Sequence, residues 1–162
     1  MNKTLVEPIV YTLNDMITYA GMKSLSKERD VMPDVYHTPI GEVEGLGIVG
    51  LYFMNPNAQS IVFSMEDKDD GTADEYYGPC HEFYYILAGE FTMFWGKDVS
   101  EVRKGKANKL HLRPGEMGYW SPGWKYSVKN TSKMPGTFFW GISRPPKGIV
   151  QRKEVAPPLH KS

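Results

Sequence analysis

The chain has 162 residues, 41% of them hydrophobic and 23% charged, with 19 Lys plus Arg against 19 Asp plus Glu. That length and composition suit one water-soluble domain, and the zero net charge removes any long-range pull toward nucleic acid or an anionic membrane. No run approaches eighteen apolar residues, the N-terminus lacks the apolar core of a signal peptide, and the single cysteine, Cys80, excludes an intrachain disulfide, so the expected compartment is the cytoplasm.

Residues 1–30 read as an N-terminal arm with a short helix. Thr12-Leu13-Asn14-Asp15 has the capping-box shape, and Ile17 and Ala20, with Leu13 or Met16, make an apolar face that ends at Gly21. Leu46–Met54 and Ser60–Met65 read as strands around the turn signal Asn55-Pro56-Asn57. Glu66–Gly71 is an acidic segment without the spacing of a calcium loop, so a solvated loop is expected. From position 82 the pattern is β throughout. Phe83–Leu87, Phe91–Trp95, Leu110–Leu112, Tyr126–Val128 and Thr137–Ile142 are short strands punctuated by Gly89, Pro114-Gly115 and Pro122-Gly123. Val99–Lys109 is polar and predicts an exposed hairpin; residues 146–162, after Arg144-Pro145-Pro146, predict an extended tail. Short strands at regular spacing indicate an all-β sandwich or closed barrel over residues 31–145.

Two motifs sharpen this. Glu82 is followed after six residues by Gly89, and Gly115, Gly123 and Asn130 stand in the register of a second motif, with Ser121-Pro122 and Tyr126 inside it. Together these resemble the two motifs of the cupin family. The resemblance implies an all-β, cupin-type β-barrel or jelly roll. It also implies a metal site of three imidazoles and one carboxylate inside the barrel, a donor set suited to iron, manganese, nickel or zinc. Only the carboxylate, Glu82, is retained. The family's His-x-His pair falls on Tyr76 and Gly78 in one register or on Glu75 and Tyr77 in the other, and its last histidine falls on Tyr126.

The resemblance therefore implies an inward set of Tyr76, Glu82 and Tyr126, continued by Tyr84 two residues on. A carboxylate among phenols can act as a general acid or base without a metal, the hydroxyls holding a developing oxyanion. It can equally be a structural acid paired inside the barrel. Trp120 and Trp124 flank the turn at the barrel mouth and are ligand-stacking candidates or packing for a dimer interface. His81, next to Glu82, should point to the opposite face unless a bulge intervenes. Cys80 shares a face with Glu82 and reads as a small buried residue or, with the acid, as a soft-metal pair. The expected function is small-molecule binding, with metal-independent isomerase, epimerase or lyase chemistry on Glu82, Tyr76 and Tyr126. The alternatives are a non-catalytic sensor and a metal-dependent cupin enzyme holding a divalent transition ion at a variant site. The expected partners are a small organic molecule and a second copy in a homodimer, with neither nucleic acid nor membrane.

Overall fold

Alternating chemistry along residues 82–88 sets the strand that frames the site. Glu82, Tyr84 and Ile86 are buried, whereas Phe83 is half-buried and Tyr85 and Leu87 are exposed. The period of two is that of a strand with one face on a core. The computed structural model describes residues 35–43, 47–143 and 150–151, and the expected N-terminal helix lies outside them.

The strands are β1 (Val35–Val43), β2 (Gly47–Met54), β3 (Phe63–Ser64), β4 (Glu75–Tyr76), β5 (Glu82–Ala88), β6 (Phe91–Gly96), β7 (Asn108–Leu112), β8 (Met117–Trp120), β9 (Lys125–Asn130), β10 (Gly136–Ile142) and β11 (Val150–Gln151). They form a five-stranded sheet in the order β1-β2-β10-β5-β8 and a six-stranded sheet in the order β11-β4-β3-β9-β6-β7. Inward side chains of both sheets make one core. Tyr52, Tyr84, Phe138 and Trp120 come from the first sheet and Phe63, Phe91, Met93, Tyr126 and Val128 from the second. This is the jelly-roll arrangement of two sheets closed over a shared interior.

The motif glycine Gly89 joins the sheets at the β5–β6 turn. Its φ is 82°, and a Cβ there would lie 2.8 Å from Gly136 Cα, so both backbone conformation and space demand glycine.

Two local expectations are corrected. In place of a hairpin over 99–109, Val99–Arg103 forms a short helix, α1, before β7 begins. Asp98 caps it by accepting from the Glu101 N–H at 3.0 Å, and Val102 is buried in a small outer cluster with Val62, Ala73 and Phe94. A capped turn with one buried apolar residue outcompetes the hairpin. The acidic segment is not simply solvated: Glu66 and Asp70 hold the buried ammonium of Lys125 at 2.6 and 2.5 Å. At the other end of the chain, Val150 and Gln151 pair antiparallel with Tyr76 and Glu75. Among the described residues no helix is long and apolar enough to cross a membrane.

Candidate active site

Strand β5 delivers Glu82 to the interior, and β9 on the opposite sheet delivers Tyr126. The Tyr126 hydroxyl donates to Glu82 Oε2 in a very short contact, and Tyr84, two residues along β5, also hydrogen-bonds the carboxyl. All three side chains are buried. Burial is the largest influence on Glu82. It outweighs the downward pull of the Tyr126 and Tyr84 bonds, the nearby Glu75 adds to the rise, and the carboxyl is pushed up to about 8. The same burial, followed by the charge of Glu82, holds the Tyr84 and Tyr126 hydroxyls well above the ordinary phenol range. Near neutral pH the group is therefore a carboxylic acid among neutral phenols, able to give a proton and take it back.

Strand β4 settles the register that the sequence leaves open. The Tyr76 hydroxyl donates to the Asp67 carbonyl at 3.1 Å, toward the acidic loop and away from Glu82. The expected catalytic place for Tyr76 is thus corrected by strand alternation. Its neighbours Glu75 and Tyr77 turn inward instead: Glu75 is fully buried, and Tyr77 donates to Glu75 Oε2 at 2.7 Å. Phe63 sits between the two phenols, 5.7 Å from the Tyr77 ring and 5.3 Å from the Tyr126 ring. The interior therefore carries two phenol–carboxyl pairs, Tyr126–Glu82 and Tyr77–Glu75. The signal for the second pair was the longer spacing, with four residues between Tyr77 and Glu82.

The other candidates divide. Trp120 is buried against the site, its ring 4.8 Å from Tyr84 and stacked 6.1 Å from Tyr126. Trp124 stands further out, edge-on to Trp95 at 4.9 Å. His81 is exposed, with Nδ1 2.6 Å from the Tyr119 hydroxyl, and its side chain turns away from that of Glu82 as alternation requires, although both residues line one cavity of about 500 Å³. Cys80 is fully buried and lies 3.5 Å from the Tyr77 carbonyl; burial pushes its thiol up to about 11, so it is a protonated thiol.

These residues do not fit the family's metal. The positions of its imidazoles and carboxylate hold Glu75, Tyr77, Glu82 and Tyr126, with no histidine among them. Each phenol already donates to a carboxyl, and a neutral phenol is a poor ligand. Among the described residues no group of three His, Cys, Asp or Glu side chains converges in a way that would hold an ion.

Solved structures share this architecture. An uncharacterised conserved protein with a double-stranded β-helix domain from Klebsiella pneumoniae superposes with a TM-score of 0.58 at 12% identity, over 91% of this chain and 100% of that one. The cupin domain of Schizosaccharomyces pombe Cnp3 gives a TM-score of 0.52 at 13% identity, over 69% of this chain and 66% of that one. A protein described as a predicted oxalate decarboxylase from Thermotoga maritima gives 0.50 at 16% identity, over 68% and 80%. The fold is that of the cupin superfamily, the double-stranded β-helix. No family model and no curated protein matches the sequence.

Proposed function

We propose that this protein is a small-molecule-binding cupin in which Glu82, bonded by Tyr126 and Tyr84, exchanges a proton with an organic ligand in metal-independent isomerase, epimerase or lyase chemistry. One observation carries the reading: a buried carboxyl with its pKa raised to about 8, inside a set of phenols that can also stabilise an oxygen anion. The second pair, Tyr77–Glu75, gives the site another proton donor and acceptor across the Phe63 ring. A homodimer belongs to the proposal. Tyr85, Leu87, Met117 and Tyr119 expose apolar area on the five-stranded sheet, the surface a second copy would cover.

The test begins with infrared spectroscopy of the purified protein. The protonated-carboxyl stretch should persist through neutral pH, vanish as pH rises past about 8, and be missing from Glu82→Gln. Native mass spectrometry would then identify a co-purified molecule. Turnover of that molecule by the wild type but not by Glu82→Gln supports the proposal, and equal turnover by both sinks it. A ligand returned unchanged after long incubation would make the protein a binding module.

A further inference from the structure

We propose that the cleft between the two sheet edges, β7 and β8, binds a flat aromatic anion. This goes beyond the reading above by adding a ligand site on the same barrel that Glu82 does not line. The cleft has a volume of about 280 Å³ and is lined by Trp95, Lys109, Leu110, Tyr119, Trp120 and Trp124, with Ser121 at its rim. Three of the chain's four tryptophans therefore face one small space.

Size and lining chemistry choose the ligand. Ligand pockets commonly run from roughly 300 to 1,000 Å³, so this one has room for one or two fused rings and not for an oligosaccharide or a dinucleotide. Sugars also need a fence of carboxylates and amides, and the lining holds no Asp, Glu, Asn or Gln. The Tyr119 hydroxyl is already engaged by His81. Indole faces and edges, by contrast, suit a planar ring. Trp124 stands edge-on to Trp95, and Trp120 forms the inner wall.

Charge gives the sign. Lys109 is the charged residue of the lining, and the Lys97 ammonium lies 5.0 Å above the Trp124 ring. Lys97 is already paired with Glu66 at 3.1 Å, which leaves Lys109 as the cation for a ligand. Lys109 rests 5.9 Å from the Phe94 ring, a weak hold that costs little to release. A ring lodged here would touch one side of Trp120. The rings of Tyr84 and Tyr126, the two tyrosines bonded to Glu82, pack against that same indole. One indole, Trp120, thus stands between the cleft and the proton-active interior.

Tryptophan fluorescence and calorimetric titration with naphthoate, naphthamide and glucose test this. Naphthoate should bind saturably and quench, naphthamide should bind more weakly, and glucose should not bind. Trp124→Ala should weaken naphthoate about tenfold, and Lys109→Gln about two- to fivefold with naphthamide unaffected. Leu110→Glu, at a 39% exposed position that tolerates the change, places an acid in the cleft and should abolish naphthoate binding if Trp124→Ala fails to fold. No saturable binding of naphthoate, equal binding of naphthamide, or wild-type affinity in Leu110→Glu overturns the inference. Glu82→Gln should bind naphthoate as the wild type does, because Glu82 does not line the cleft. An infrared spectrum without the Glu82 acid would therefore sink the proton chemistry and leave this cleft standing, and absence of naphthoate binding would do the reverse.

Discussion

Glu82 stores a pH dependence in the fold. Its carboxyl sits at about 8 in the folded protein against 4.5 for an ordinary glutamate, so between those values the folded state binds more protons than the unfolded one. Stability therefore falls as pH rises across that window, by roughly 5 kcal/mol once Glu82 is fully ionised. That is a large share of a typical domain's 5–15 kcal/mol, roughly. Glu82→Gln should have the higher Tm above pH 8 and no such advantage below pH 4.5; thermal melts whose two curves run parallel through the window would contradict this. Tyr126→Phe removes a bond that lowers the acid's pKa, so the infrared midpoint of Glu82 should move further up. The acid and its Tyr126 partner were legible in the sequence because glycine and glutamate spacing survives side-chain replacement. Tyr76 was misplaced because a one-residue change in spacing exchanges the faces of a strand. Only the hydrogen bonds of Tyr76 to Asp67 and of Tyr77 to Glu75 decide between the registers.

Single elements carry their own tests. On β8, Gly118 faces Tyr84 across the β5 pairing and leaves room for the Trp120 ring to fold back over it. A Cβ at 118 would fall inside van der Waals contact of both the Trp120 ring and Leu112 Cδ1. Gly118→Ala should cost about 1–3 kcal/mol and change the near-ultraviolet circular dichroism of the tryptophans. At the start of β9, Lys125 is buried between Glu66 and Asp70. Burial alone would lift the Asp70 carboxyl, but the Lys125 and Thr72 bonds overcome it and hold Asp70 well below the usual range. This stabilisation is full above Asp70's ordinary pKa of 3.8 and is lost as pH falls below it. Lys125→Ala leaves two partly exposed acids facing each other and should lower stability at neutral pH by about 1–3 kcal/mol in urea unfolding. The strands themselves were legible because alternation and turn residues are local signals. The α1 helix and the Lys125 clasp were not. One depends on a cap and a single buried valine, the other on partners 55 and 59 positions apart in sequence.

For the whole molecule, the two-sheet fold forms around an interior without the histidines that the cupin motifs would place there. Ring-on-ring packing joins the two sheets: Phe91 of the six-stranded sheet meets Phe138 of the five-stranded sheet edge-on at 5.0 Å, and Tyr84 stacks on that same Phe138 ring at 4.3 Å. The interior is thus packed with aromatic rings and two phenol–carboxyl pairs. Adding manganese, iron, nickel or zinc, or dialysing against a chelator, should leave Tm unchanged; a metal-dependent rise that disappears in Glu82→Ala would contradict this. The barrel was readable from glycines and strand spacing because those positions shape backbone. What the barrel encloses depends on side chains brought together from β2, β4, β5 and β9.

The pairing of Val150–Gln151 with Tyr76–Glu75 carries a practical lesson for handling this protein. Strand β4 is two residues long, flanked by β3 on one side and by that returning segment on the other. Trimming the chain after position 143 would strip a splint from the short ribbon that seats Glu75. A truncation made for convenience would then alter the chamber, although the cut lies 68 positions beyond the residue affected.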